Sequence, residues 1–110
     1  MTTLYPICPQ VQWEQAQAQG EYSAPSLAAE GFIHCSTQSQ VAATADLFFR
    51  GQDGLVLLVI DRTRIAVPVR DDDIGGGRRF PHIYGPLNLD AVTEARLFPP
   101  AADGTFAAPL

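Results

Sequence analysis

The chain is predicted to be a small single α+β domain, two main helices packed on a mixed or mostly antiparallel split sheet. Three observations lead there: an early strand followed directly by a helix, a second helix announced by a capping motif, and strands concentrated toward the C-terminus. A chain of 110 residues fits one domain. One of this size buries roughly two thirds of its unfolded surface and folds without staples. Residues 1–110 are therefore taken as a single domain, with a core over about 3–98 and a flexible tail over 99–110.

Leu4 to Cys8 is short and apolar, which suits a first strand; Pro9 suits a first helical turn, and Val11, Trp13 and Ala16 begin a helix closed by Gly20. Tyr22 to Glu30 predicts a loop with a short helical turn, and Phe32-Ile33-His34 a short strand with His34 at its exit. Thr37-Gln38-Ser39-Gln40 matches a capping box, so the second helix is expected over 38–50, with Val41, Ala45 and Phe48 on its apolar face and Gly51 as its stop. Leu55 to Ile60 is apolar on both faces, the pattern of a central strand. Arg62 to Val69 is expected at a sheet edge because Pro68 has no ladder donor. Asp71 to Arg79, with three consecutive glycines, predicts a mobile polar loop; Phe80 to Tyr84 and Val92 to Phe98 complete the strands. The tail from Pro99 is rich in Ala, Pro and Gly and is expected to fray.

Hydrophobic residues make up 46% of the chain and the mean hydropathy is +0.03, while no apolar run approaches the roughly 18 to 20 residues of a membrane span. No signal peptide is visible, so the expected location is cytoplasmic, where Cys8 and Cys35 are two buried thiols. The net charge of −5, with seven arginines and no lysine, argues against broad attraction to nucleic-acid phosphates. It leaves room for one small anionic ligand, which arginine is suited to grip.

The chemistry concentrates around two histidines. His34-Cys35-Ser36-Thr37 brings an imidazole, two hydroxyls and a helix start to one point, where free N–H groups could receive a phosphate; Ser36 and Thr37 equally suit plain capping. In Pro81-His82-Ile83-Tyr84-Gly85-Pro86, an extended backbone turns His82 and Tyr84 to the same face, where they would line a cleft or simply pack in a rigid turn. Arg78 and Arg79 just upstream could hold an anion there or remain solvated. Cys35 as a nucleophile with His34 as its base is awkward, because strand neighbours point to opposite faces. Asp71, Asp72 and Asp73 lack the spacing of a calcium loop and suit a solvated acidic loop; no metal is expected. Glu30 could assist His34 as a carboxylate, though spacing does not demand it.

Ser26 to Thr37 with Gln40, and Phe80 to Leu87, resemble the two signature segments of the small bacterial domain-of-unknown-function family 952. The first strand, Trp13 and the last strand align in order, so the resemblance extends to about Phe98. It implies a fold similar to that of the ADP-ribosyltransferases, whose split sheet holds NAD, and a motif style near that of the RNA 2′-phosphotransferases. One departure is the first strand: Leu4 to Cys8 lacks the histidine that many such proteins place against the nicotinamide ribose. No counterpart of the transferases' glutamate stands out either.

Residues and resemblance together predict a nucleotide or NAD site between the His34 and His82 segments, with His34 and His82 as catalytic groups. Ser36, Thr37, Tyr84, Arg78 and Arg79 are the expected ligand contacts, NAD the expected cofactor, and a small phosphate-containing molecule the expected partner. A non-catalytic module binding a metabolite or a protein on the same fold is the alternative. A structural protein with satisfied core histidines is the third.

Overall fold

Leu55 to Asp61 is apolar on both faces because both faces are covered. In the computed structural model, which describes residues 3–109, this strand alternates between two hydrophobic clusters: Val56, Leu58 and Ile60 enter one, Leu55 and Leu57 the other. The elements in chain order are β1 (Thr3–Leu4), β2 (Ile7–Pro9), α1 (Gln10–Gln19), β3 (Glu21–Tyr22), α2 (Pro25–Glu30), β4 (Ile33–His34) and α3 (Val41–Phe48). They continue with β5 (Leu55–Asp61), β6 (Val69–Asp73), β7 (Arg79–Ile83), β8 (Leu87–Asn88) and β9 (Val92–Leu97), with single 3-10 turns at Arg62–Arg64 and Leu89–Ala91. The domain is α+β with three α-helices, and every strand pairing among the described residues is antiparallel.

β5 forms the middle of the main sheet, with β1 and β2 along one edge and β9 along the other. A second sheet runs β4-β7-β6, and β3 pairs with β8. The first cluster contains Leu4, Cys8, Ala16, Tyr22, Ile33 and Ile83, so the inner face of the β4-β7-β6 sheet closes the same core as β5 and α1. The second joins Tyr5, Val41, Ala45, Phe98 and Phe106 under α3. Among the described residues no helix is long and apolar enough to cross a membrane.

Several sequence-derived expectations need correction. The short helical turn expected before Glu30 is present as α2, started by Pro25 and stopped by left-handed Gly31, while other expectations change. Helix α3 begins at Val41 rather than 38, because residues 38–40 form a turn and only half of the capping box exists: Thr37 N–H donates to Gln40 Oε1 at 2.9 Å, with no return bond to a backbone donor. The edge strand lies later than expected, at Val69–Asp73, with a 3-10 turn where Arg62 to Arg64 had suggested extension. Asp71, Asp72 and Asp73 thus belong to a strand of the β6–β7 hairpin instead of a mobile loop.

The segment from Pro99 also departs from the frayed tail expected of it. Phe106 is buried and stacks on Phe98 with ring centroids 4.9 Å apart, its N–H donates to Asp46 at 2.8 Å, and Gln38 Nε2 donates to the Pro109 carbonyl at 2.8 Å. Phe106→Ala should therefore lower the unfolding free energy by about 3 kcal/mol, the usual cost of emptying a buried phenylalanine site. Urea titration would show it as a lower midpoint; an unchanged midpoint would mean that the tail contributes nothing. Gly85, at φ 154°, has no room for a side chain, since an added Cβ would lie 2.8 Å from Val67 Cγ1. Gly85→Ala should cost roughly 1–3 kcal/mol, and less in a Val67→Ala background, where the clashing methyls are gone. Equal losses in the two backgrounds would rule out that contact as the cause.

Candidate functional site

The site is built where α2 stops. Gly31 takes a left-handed conformation, its N–H bonding Leu27 O at 3.0 Å and Ser26 O at 3.2 Å, while Ser26 Oγ donates to Phe32 O at 2.7 Å. The chain turns back immediately into β4, and His34 Nε2 comes to 2.6 Å from Glu30 Oε2. β4 then pairs with β7 so that Ile33 faces Ile83 and His34 faces His82. Because side chains alternate, both isoleucines enter the core and both imidazoles lie on the outer face.

On that face the rings touch. The His34 and His82 centroids are 5.2 Å apart, edge to face, and Phe32 stacks on His82 at 4.0 Å. Tyr84 lies 5.4 Å from Phe32. The two histidine segments are thus adjacent strands and not opposite walls, so a ligand would lie over the rings rather than between them.

β6 supplies what the sequence reading did not assign to the site. His82 Nδ1 lies 2.7 Å from Asp72 Oδ2, and Tyr84 donates its hydroxyl to the same oxygen. These two bonds, Tyr84 first and His82 second, hold the Asp72 carboxyl below the usual carboxylate range. A carboxylate can only accept, so His82 donates Nδ1–H and its Nε2 carries the lone pair when the ring is neutral. The Tyr84–Asp72 bond raises the Tyr84 phenol above its ordinary value and keeps its proton in place. His82 is 4% exposed, whereas the His34 side chain is 57% exposed; His34 is the imidazole that meets solvent.

The other expected contacts lie elsewhere. Ser36 is buried in a backbone bridge to Tyr5, and its hydroxyl donates to Thr44 Oγ1 at 3.3 Å. The Thr37 N–H is taken by Gln40, so two of the groups expected to meet a phosphate, this N–H and the Ser36 hydroxyl, are bonded within the chain. Arg78 sits in the exposed turn before β7. Arg79 alternates to the face opposite His82 and reaches the Asp71 carbonyl at 3.4 Å, beside Pro81, which offers no ladder N–H. Asp71 is gripped by Arg62 through two bonds of 2.9 and 3.1 Å. Cys35 is buried away from the histidines and its thiol is pushed up by burial; Cys8 is likewise raised, to about 11.

Glu30 was weighed from the sequence, and Asp72 only as one of three aspartates of a solvated acidic loop; Phe32 and Arg70 were missed. The signal for β6 was the alternation Val69-Arg70-Asp71-Asp72-Asp73, which places Arg70 and Asp72 on one face once the glycines are taken as a hairpin turn. A hollow of about 480 Å³ lies between α1 and α2 and is lined by Gln12, Gln15, Gln19 and Leu27. Its lining carries no titratable group, so the histidine face remains the candidate for chemistry. Among the described residues no cluster of three or more His, Cys, Asp or Glu is arranged to hold a metal.

A family model described as "Protein of unknown function (DUF952)" matches residues 7–95, a span that includes both histidine strands. The chain belongs to this family. The chain is similar to the crystal structure of protein CC0527 from Caulobacter crescentus, 36% identical with a TM-score of 0.89 over 96% of this chain and 94% of that one. The solution NMR structure of CC0527 gives 38% identity and a TM-score of 0.83 over 96% and 91%. No curated protein matches the chain. Within this DUF952 domain, the Asp72 bond has a pH signature. Its folded pKa lies below the unfolded value of 3.8, so its stabilisation is complete above that pH and fades as pH falls through the folded value. Asp72→Asn should be less stable than the parent at neutral pH, with the gap closing below pH 3.8. Parallel urea melts would test it; a gap constant down to pH 2 would count against the bond.

Proposed function

We propose that the outer face of the β4-β7-β6 sheet binds a nucleotide-like phosphate ligand, NAD being the first candidate, and that the protein is a group transferase acting at an anomeric or phosphoryl centre. The observation that carries this reading is the pair of touching imidazoles, each bonded to its own carboxylate: His34 to Glu30, and His82 to Asp72. A carboxylate behind an imidazole selects one tautomer and stabilises the ring when it takes a proton. Neutral His34, donating Nε2–H to Glu30, has its lone pair on Nδ1, and its exposure lets it accept a proton from an incoming hydroxyl. His82, nearly enclosed, acts by holding the His34 ring and the local charge, while Tyr84 offers its ring because its hydroxyl is committed to Asp72.

NAD fits these residues in part. The Phe32, His34 and Tyr84 rings suit one ligand ring and its ribose, whereas the Ser36 hydroxyl and the Thr37 N–H are already bonded to Thr44 and Gln40. When bound, NAD would supply an activated anomeric carbon. The ADP-ribosyltransferase-like fold implied by the signature segments belongs to this same reading, as does a cytoplasmic site, which suits the two unbridged thiols. A non-catalytic binding module is the second reading, favoured by the 4% exposure of His82.

Titration calorimetry and a nicotinamide-release assay test both. NAD affinity and turnover should each fall at least tenfold in His34→Ala/His82→Ala; retention of both in the double variant would overturn the proposal. Binding by the parent without release of nicotinamide would select the non-catalytic reading.

A further inference from the structure

The histidine face carries two carboxylates, Glu30 and Asp72, on a chain whose net charge is −5. An anionic ligand approaching it meets repulsion unless a cation is built into the same face. Most of the arginines have other duties. Arg62 forks onto Asp71, Arg64 pairs with Asp61 at 3.5 Å, Arg96 pairs with Glu94 at 2.5 Å, and Arg79 reaches a backbone carbonyl on the opposite face. Arg50 lies toward Asp103, and Arg78 is in the hairpin turn.

Arg70 is different. The register of β6 against β7 sets it directly opposite His82, and its guanidinium carbon lies 5.0 Å from the centre of the Tyr84 ring. Its strand position is exposed, and among the described residues its N–H donors bond no acceptor. Arg70 is thus a cation stacked on Tyr84 and near enough to Asp72 to help hold that carboxyl low, with its hydrogen-bonding fork left open. We infer that Arg70 is the anion-binding residue of this site, gripping a phosphate or phosphate-ester oxygen of a ligand whose ring lies over Phe32 and His34. The inference rests on the proposed nucleotide reading and replaces Arg78 and Arg79 as the phosphate contacts. A guanidinium meets two phosphate oxygens at once, which a lysine ammonium at the same place cannot do.

The test is NMR titration of the parent, Arg70→Gln, Arg70→Lys, Arg78→Gln and Arg79→Gln with inorganic phosphate, AMP and NAD, following the His34 and His82 imidazole signals and the Arg70 Nε–H. Thermal melts confirm folding; β6 is an edge strand and the position is exposed, so the variants should melt with the parent. Arg70→Gln should weaken AMP binding at least tenfold and Arg70→Lys by an intermediate factor. Arg78→Gln and Arg79→Gln should stay within twofold of the parent. If AMP moves both imidazoles equally well in the parent and in Arg70→Gln, the nucleotide reading stands and this inference falls. If neither AMP nor NAD moves the imidazoles of the parent, the nucleotide reading itself falls and takes the inference with it.

Discussion

The pairing of Ile33 with Ile83 and of His34 with His82 is the constraint on which the site and the smaller sheet both depend. Strand side chains alternate with a period of two, so a slip of one residue would turn every neighbour to the wrong face. Here such a slip would put imidazoles in the core and isoleucines in water. The fully buried Ile33 and Ile83 exclude that register, since each fills the cluster shared with Leu4, Val56 and Leu58. Hydrophobic burial on the inner face thereby fixes, at no separate cost, the imidazole contact on the outer one.

The hairpin of β6 and β7 gives three consecutive aspartates three separate tasks. Asp71 anchors Arg62, Asp72 holds His82 and Tyr84, and Asp73 accepts the Gly75 N–H at 2.8 Å to shape the turn. What resembles an undifferentiated acidic run in one dimension becomes, through alternation, one residue on the site face between two on the other. The exposed Glu30–His34 pair adds little stability in water; its importance is in orienting the ring. In the half-buried Asp72–His82 pair the imidazole is covered, and it gives the exposed His34 ring a surface to rest against.

Much of this was legible in the sequence wherever the signal was local. The two-sided apolar run of β5, the first helix with its Gly20 stop, and the prominence of His34, His82 and Tyr84 all follow from neighbouring residues. Contacts between distant segments were not legible. Asp72 was assigned to solvent because three glycines after it suggested disorder, and the hairpin that rescues it depends on β7 pairing. Ser36 looked like a phosphate donor until Thr44, a turn into α3, took its hydroxyl. Phe106 was expected to fray with the tail because composition dominated that reading, although one aromatic ring in an Ala-Pro-Gly stretch is an anchor when a matching ring waits at Phe98.

The position of β5 between both ends of the chain also governs when the molecule can exist. Its partners on one edge, β1 and β2, leave the ribosome before it, and its partner on the other, β9, after it. The cluster beneath α3 is completed still later, by Phe106. Until those residues emerge, a strand made almost wholly of Leu, Val and Ile has one edge and one face uncovered, the condition under which nascent chains stick to one another. The segment that carries Phe106 is in this sense the latch of the fold: its arrival covers the face that β5 leaves open until then.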